Sequence, residues 1–224
     1  MRRAPIALIA AGVVLVLGGC AAPTPGSTFA PDPGESVTPT PDPAPPRLEE
    51  LVLTTEGLGT LVFGTIADSD PVTRMIYLDP EACVYDGGPT SGSPEAASWA
   101  PIDAYGTSGN QAFGVNVQDD GTVDRVDLYN DTIPTDGGLR IGDSRADALA
   151  AYPDAEIWHE WATDVLVLPG VAGNIHIEIA HHTGDAAGYW EPDPGDRVLF
   201  IRGVVASSPV FSVAGSDNIA GGCL

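Results

Sequence analysis

The chain contains 224 residues, of which 31 are acidic and 9 are basic, so its formal net charge is −22 at pH 7. It contains no lysine. A protein this acidic is repelled by phosphate backbones and anionic lipid headgroups, which argues against nucleic acid as a partner and against direct docking on a membrane surface. We interpret the acidity as an aid to solubility, with a dedicated cation-binding surface as the alternative.

The amino terminus has the pattern of an export signal. Met1 to Arg3 carry positive charge, and Ile6 to Leu17 form an apolar run that is too short for a good membrane span. The run ends in Leu17-Gly18-Gly19-Cys20, which resembles the lipobox of bacterial lipoproteins. That resemblance implies a signal peptide over residues 1–19, cleavage before Cys20 and a diacylglycerol on its thiol. An ordinary signal peptide with an incidental cysteine is the alternative.

Residues 20–46 are expected to form a tether. Residues 21–46 hold nine prolines and no sustained apolar periodicity, so this segment cannot bury enough surface to fold by itself. At ~3.1 Å per residue in a polyproline II conformation, it reaches roughly 80 Å. We therefore predict a protein anchored in the cell membrane through the lipid on Cys20, with residues 47–224 folded outside the cytoplasm.

The cysteine count predicts one disulfide. Without Cys20, the two cysteines that remain are Cys83 and Cys223, an even pair in an oxidising compartment. Their pairing would tie the carboxyl end of the chain to its first half. Free or metal-binding thiols are the alternative, although two isolated cysteines lack the spacing of a zinc site.

A short motif occurs twice in the folded part. Gly59 to Gly64 and Gly137 to Gly142 both match G-x-L-x-[aliphatic or aromatic]-G, at an offset of 78 residues. A short helix is predicted after each, the first beginning at Asp70-Pro71 and extending to Ile76, the second beginning at the S-x-x-D capping pattern of Ser144. The pattern suggests a tandem duplication over residues 51–129 and 130–206, with chance similarity of common residues as the alternative.

Alternating sequences after each helix predict antiparallel strands. Residues 111–118 and 123–129 flank the turn Asp119-Asp120-Gly121 and predict a β-hairpin. Residues 116–127 also resemble a calcium-binding EF-hand loop in the spacing of their oxygen-bearing side chains and of Gly121, but the alternating apolar residues on both sides favour the hairpin. In the second half, strands are expected within 156–161, 165–168, 175–179 and 197–205, the last of them central. The expected fold is α+β, a mainly antiparallel sheet with two short helices on one face.

The repeated motif, followed by a short helix and antiparallel strands, resembles the tandem units of the β-lactamase inhibitor protein and of small outer-membrane assembly lipoproteins. The matching residues are Leu61, Phe63, Gly64, Leu139, Ile141 and Gly142. Those units begin their helix with G-M-[ST], which the residues after Phe63 and Ile141 only approximate. The resemblance implies a scaffold that binds protein surfaces and is not an enzyme. The chain also resembles uncharacterised actinobacterial lipoproteins, which leaves the function open.

The sequence contains no recognisable catalytic or cofactor-binding motif, and we predict no cofactor. The four histidines lie at positions 159, 176, 181 and 182. On an alternating strand His176 is expected to point outward together with Glu178, so the prediction is solvated histidines. A zinc or copper site formed by His176, His181 or His182 with a carboxylate is the alternative and leaves metal binding open.

Aromatic residues cluster in the second half of the chain. Strand alternation places Trp158 and Trp161 on opposite faces, so one indole is expected in the core and the other on the surface. Tyr189-Trp190 lies in a loop rich in Gly, Pro and Asp, where packing against the sheet edge is the alternative to a binding role. We predict that Trp158, Tyr189 and Trp190 anchor a ligand or an envelope or secreted protein.

Three classes of function are compatible with these residues. The first is a membrane-tethered module that binds a protein or a ligand. The second is an envelope hydrolase with scattered site residues, for which His176, His181 and Asp185 are the candidates. The third is a purely structural envelope protein. We expect the first of these, and therefore a protein without enzymatic activity.

Overall fold

The structure is a computed structural model that describes residues 44–67, 74–107, 109–190 and 192–223. The signal segment, Cys20 and most of the predicted tether lie outside the described residues. These described residues form one compact unit. The described residues of this unit contain the sheets, the apolar core and both cysteines of the disulfide described below.

The first half of the folded part contributes two small antiparallel sheets. A three-stranded sheet contains β1 (Leu53–Thr54), β2 (Gly57–Leu58) and β3 (Leu61–Val62). A two-stranded sheet pairs β4 (Ile76–Asp79) with β5 (Ser98–Pro101). Short 3₁₀ turns occupy Leu48–Glu50, Pro94–Ala96, Asp103–Tyr105 and Gly184–Ala186.

The main element is a six-stranded antiparallel sheet. Its strands are β6 (Phe113–Val117), β7 (Val123–Leu128), β8 (Glu156–His159), β9 (Thr163–Pro169), β10 (Gly173–Ala180) and β11 (Val198–Val205). They lie in the order β6-β7-β11-β10-β9-β8, so β11 is interior and β6 and β8 are the two edges. The predicted hairpin is confirmed as β6 and β7, with Gly121 at a positive φ of 86° in its turn. An EF-hand reading of the same residues is wrong, because they form paired strands.

One α-helix, α1 (Arg145–Ala151), lies among the described residues. The Ser144 hydroxyl accepts a hydrogen bond from the backbone N–H of Asp147, and the Asp147 carboxylate accepts one from the Ser144 N–H, so the predicted capping pattern is confirmed. The other predicted helix differs: Asp70 and Pro71 lie outside the described residues, and Ile76 begins β4. No helix among the described residues is both long enough and apolar enough for a transmembrane span.

One face of the large sheet forms the core. Alternation places Ile175, Ile177 and Ile179 of β10 on that face, where they join the buried leucines of the small three-stranded sheet. Phe63 packs directly on β11, because a Cβ at Gly203 would come within 2.3 Å of its ring. The fold is therefore mainly antiparallel β with one short helix, and its core face could be predicted from alternation alone.

The two similar sequence segments form different local structures. The first, residues 59–64, contains β3, whereas residues 137–142 contain no strand. Their leucines, Leu61 and Leu139, are both buried in the core. A tandem duplication stays a prediction.

Candidate functional site

The second face of the large sheet carries a row of buried charged residues. His176 of β10 lies opposite Arg202 of β11, which in turn lies opposite Asp127 of β7. Glu178 and Arg125 extend the row, and all five residues are buried. The prediction that His176 and Glu178 point to solvent is wrong: the alternation is as expected, but this face of the sheet is covered.

The cover is the carboxyl-terminal segment, residues 211–223, which we call the C-terminal strap. Its backbone is held by the carboxylate of Glu178, which accepts hydrogen bonds from the Ser212 hydroxyl (2.9 Å), the Val213 N–H (2.5 Å) and the Ala214 N–H (3.3 Å). Arg202 pairs with the same carboxylate through Nη2 at 2.7 Å and also donates to the Phe211 carbonyl. A single buried ion pair thus fixes the start of the strap.

A second ion pair holds the other end of the strap. Arg125 binds Asp127 through both Nε and Nη2, and it also donates to the side chain and the carbonyl of Asn218. Asp127 accepts a hydrogen bond from the Ala220 N–H at 2.9 Å. The strap approaches the sheet so closely that a Cβ at Gly114 would come within 2.1 Å of the Ala220 carbonyl oxygen. Only glycine fits at that position of β6.

Phe211 connects the two ion pairs. Its ring lies 4.2 Å from the guanidinium carbon of Arg202 and 4.9 Å from that of Arg125. Both contacts are within the range of a cation–π interaction, and they are desolvated here, which strengthens them. The strap is therefore bound to the sheet by charge, by backbone hydrogen bonds and by one aromatic ring.

The strap ends in the predicted disulfide. Cys83 and Cys223 are bonded, across a sequence separation of 140 residues. Cys83 follows β4 in the first half of the chain, so the disulfide joins the strap to a part of the protein that the large sheet does not contain. The prediction made from the cysteine count is confirmed.

His176 is uncharged in this environment. Burial lowers its pKa to about 4, and the positive charges of Arg202 and Arg125 act in the same direction. Because Arg202 Nε can only donate, the 3.5 Å contact to His176 Nδ1 makes that ring nitrogen the acceptor and leaves the proton on Nε2. Nε2 has no hydrogen-bond partner among the described residues.

The buried histidine predicts a pH-dependent stability. In the unfolded chain a histidine takes up its proton near pH 6.5, whereas His176 in the folded protein does so only near pH 4. Stability is therefore lost as the pH falls through this window, by about 3 kcal/mol in total. Replacing His176 with Gln should flatten that part of the profile, which urea unfolding at a series of pH values measures. Parallel profiles for the two proteins would contradict the assignment.

A cavity lies where the strap meets the sheet. Its volume is about 450 Å³. The sheet and the turn after β7 provide Asp127, Leu128, Tyr129, Leu199, Phe200, Ile201 and Arg202, the segment before α1 provides Ile141, and the strap provides Val213, Ile219 and Gly222. Burial, and next the negative charge of Asp127, raise the pKa of Tyr129 to about 12, so its hydroxyl stays protonated and donates to the Ala220 carbonyl.

A second feature is an exposed aromatic cluster, formed by Trp161, Tyr189 and Trp190. The ring centroids of Trp161 and Tyr189 are 4.4 Å apart and those of Tyr189 and Trp190 are 4.7 Å apart, both in edge-to-face arrangements. Trp161 is 51% exposed and Tyr189 is 43% exposed. The Tyr189 hydroxyl donates to the Ala214 carbonyl at 2.9 Å, which joins the cluster to the strap.

Trp158 lies on the neighbouring edge strand. Trp158 is 45% exposed, and the other three residues of β8 are exposed as well. The expectation that one of the two indoles at 158 and 161 faces the core is wrong, because β8 ends at His159 and its turn leaves Trp161 at the surface. Two of the three predicted anchors, Trp158 and Tyr189, are well exposed, and Trp190 is half-buried.

The backbone of β8 has one unpaired side. The Glu160 N–H donates to the Thr163 carbonyl at 2.9 Å, which closes the β8–β9 hairpin. Along an antiparallel pair, every second residue directs its backbone N–H and C=O groups to the neighbouring strand. Glu156 and Trp158 direct these groups to β9, whereas Ile157 and His159 direct them away from the sheet. These groups offer a place for an additional strand.

An ionic cluster that the sequence did not suggest lies at the end of this edge. Asp164 is buried and accepts hydrogen bonds from His159 (2.7 Å), His181 (2.9 Å) and Arg145 (2.5 Å). Burial acts to raise the pKa of Asp164, but the three donors outweigh it and the pKa is lowered. The cluster connects α1, β8, β9 and the segment after β10, and so it fixes the position of the edge strand.

The candidates for metal binding and hydrolysis are dispersed. His176 is buried beside Arg202, His181 is bound to Asp164, and His182 lies 3.7 Å from Asp196. The side chain of Asp185 is outside the described part of the chain. Within the described ranges, no group of three or more His, Cys, Asp or Glu residues is arranged to hold a metal ion.

Known proteins resemble this chain in structure but not in sequence. No family model matches the chain, and no curated protein matches its sequence. The chain is structurally similar to the uncharacterized protein yfeY from Escherichia coli, with a TM-score of 0.39 and 16% sequence identity. The match covers 68% of this chain and 99% of that chain.

Proposed function

We propose that this protein is a lipoprotein, tethered to the outer side of the cell membrane through Cys20, whose folded part binds an envelope or secreted protein. The observation that supports this function best is the exposed aromatic cluster next to the unpaired edge of β8. Aromatic side chains are the most common anchors of protein interfaces, and an open strand edge supplies backbone hydrogen bonds to an incoming strand.

The partner segment expected at this edge is extended and carries basic residues. An added strand would pair with the outward N–H and C=O groups of Ile157 and His159. Glu156 and Glu160 flank these positions and are exposed. Together with the net charge of −22, they attract a basic segment and repel an acidic one.

Photo-crosslinking on intact cells tests the proposed surface. A photoreactive phenylalanine analogue replaces Trp158 in one strain and Val171 in another, since Val171 is 93% exposed in the β9–β10 turn and serves as the control. We expect a discrete crosslinked protein from position 158 that is missing from position 171. The same products from both positions, or from neither, would argue against this surface.

Substitutions at the anchors give the expected size of the effect. Trp158→Ala, Tyr189→Ala or Trp190→Ala should each weaken binding of the identified partner by about 2 kcal/mol, roughly thirtyfold in Kd. Tyr189→Phe is the matched control, because it keeps the ring and removes only the hydrogen bond to Ala214. Unchanged Kd values for all three alanine variants would show that this site assignment is wrong.

A proline variant separates strand addition from side-chain contacts. The N–H of Ile157 faces away from β9, so Ile157→Pro removes a donor from the partner while leaving the β8–β9 ladder intact. Strand addition predicts a large loss of affinity with an unchanged unfolding midpoint. Full retention of affinity would leave the aromatic anchors as the contact and remove strand pairing from the proposal.

A further inference from the structure

Another pocket, which we call the β4–β5 pocket, lies on one face of the small sheet formed by β4 and β5. Residues that lie opposite each other in an antiparallel pair have their side chains on the same face of the sheet. The pairs at this pocket are Tyr77 with Ala100 and Asp79 with Ser98, and all four residues line it. Ile76 alternates with them and is buried in the core, so the pocket lies on the face turned away from the core. Its volume is about 440 Å³.

Four further segments of the chain form the walls of this pocket. They are the turn after β4 with Glu81 and Ala82, the 3₁₀ turn after β5 with Asp103, the segment before β6 with Gln111, and the strap with Gly221. The disulfide between positions 83 and 223 ties the turn after β4 to the strap, and the Cys223 Sγ also lies 3.7 Å from the Ala82 carbonyl oxygen. The covalent bond therefore holds two walls of the pocket next to each other.

The lining of the β4–β5 pocket is polar and carries only negative charge. Asp79, Glu81 and Asp103 supply carboxylates, whereas the described lining residues include no arginine or histidine and the chain has no lysine. Asp79 uses Oδ1 to accept a hydrogen bond from the Glu81 N–H at 3.0 Å, which leaves its second oxygen for a ligand. With a net charge of −22 on the whole chain, this pocket attracts cations and repels anions.

The arrangement of the lining favours an extended organic cation over a metal ion. A metal ion needs several ligand oxygens around one point, and within the described ranges no group of three or more His, Cys, Asp or Glu residues is arranged in that way. The carboxylates of the pocket come from separate walls, so they suit positive charges that are held apart. The ring of Tyr77 adds an aromatic surface, which attracts ammonium groups and also packs against methylene groups.

We propose that the β4–β5 pocket binds a small linear amine with more than one ammonium group, whose methylene chain packs on Tyr77 and whose ammonium groups bind Asp79 and Asp103. An ammonium group has three N–H donors, and the side chains of Ser98 and Gln111 offer further acceptors beside the carboxylates. The small side chain of Ala100, opposite Tyr77, leaves room for the chain beside the ring. The site lies on the β6 side of the large sheet, at the edge opposite β8, and is independent of the proposed protein-binding surface.

Three probes test the class of ligand. In 1,5-diaminopentane two ammonium groups are separated by a methylene chain, Mg²⁺ has the same charge at one point, and 1,5-pentanediol has the same length without charge. Each is titrated into the full-length protein in a non-ionic detergent, at about 0.15 M salt to screen the general attraction of an acidic surface. Calorimetry should show saturable binding of the diamine at one site per chain. Mg²⁺ and the diol should each bind about tenfold more weakly, because the first lacks the methylene chain and the second lacks the charge.

Charge-matched variants separate this site from the general acidity of the protein. Asp79→Asn keeps an acceptor for the Glu81 N–H and removes one charge from the pocket, so the Kd of the diamine should rise about fivefold. Glu156→Gln removes the same charge from exposed β8 at the other edge of the sheet and should leave the Kd within about twofold. Tyr77→Leu changes no charge but removes the ring, and should raise the Kd about threefold.

NMR of the wild-type protein locates the site without any substitution. Addition of the diamine should shift the amide signals of residues 77–82, 98–103 and 111, and leave those of β8 unchanged. The proposal is overturned if the diamine shows no saturable binding, if Mg²⁺ or the diol binds as tightly, or if Asp79→Asn and Glu156→Gln have equal effects. Shifts spread evenly over the acidic surface would overturn it as well.

Discussion

Loss of the Cys83–Cys223 disulfide is expected to lower the free energy of unfolding by about 5 kcal/mol. The bond closes a loop across a sequence separation of 140 residues, and in the chain-entropy account a loop of this length restricts the unfolded ensemble by that amount. The double variant Cys83→Ser, Cys223→Ser removes the bond without leaving a free thiol. Urea unfolding of residues 41–224 measures the change.

The same variant should leave the start of the strap in place. Glu178 still accepts the N–H groups of Val213 and Ala214, so those amides should remain protected in hydrogen exchange, whereas the amides near Cys223 should exchange faster. Wild-type protein with its disulfide chemically reduced is the control and should match the double variant. An unchanged unfolding midpoint in both samples would show that the bond adds no stability.

Most of the large sheet could be predicted because its strands alternate. Ile175, Ile177 and Ile179 indicate one buried face, and the period-2 pattern around the Asp120-Gly121 turn indicates the β6–β7 hairpin. The capping pattern at Ser144 predicts the beginning of α1. These patterns are local, so they can be recognised without knowledge of how the rest of the chain folds. The nearly continuous apolar run of β11 likewise indicates its interior position.

The second face of the sheet could not be predicted because a polar residue on an alternating strand normally means solvent. Here His176 and Glu178 are both buried, and the strap that binds Glu178 has no regular secondary structure and therefore no periodic sequence signal. Arg202, inside the apolar run of β11, is the one residue whose position indicates a buried second face, since an arginine in an interior strand needs a buried partner.

The candidate surface was predicted only in part. Composition and loop context indicated Tyr189 and Trp190, and both do lie in one cluster with Trp161. The sequence could not indicate that β8 is an edge strand, because strand order depends on long-range pairing rather than on local pattern. The contact of His159 and His181 with Asp164 was missed for the same reason, since β8, β9 and the end of β10 come together only in the folded sheet.

Replacing Glu178 with Gln is expected to destabilise the protein by about 3–5 kcal/mol. The substitution keeps the shape of the side chain but removes the counter-charge of Arg202, and removing one partner of a buried ion pair leaves the other charge uncompensated. The N–H groups of Val213 and Ala214 lose their shared carboxylate at the same time. Glu156→Gln on the exposed edge strand is the matched control and should change stability by about 0.5 kcal/mol or less.

A double-mutant cycle with Arg202→Met distinguishes the ion pair from general damage to the strap. If the cost of Glu178→Gln comes from an unpaired guanidinium, adding Arg202→Met should recover part of it, with a coupling free energy of roughly 0.5–3 kcal/mol. If the cost comes only from the strap hydrogen bonds, the two single effects should add. Additive values would therefore contradict the ion pair as the element that fixes the strap, and a large coupling with faster exchange only at residues 211–214 would support it.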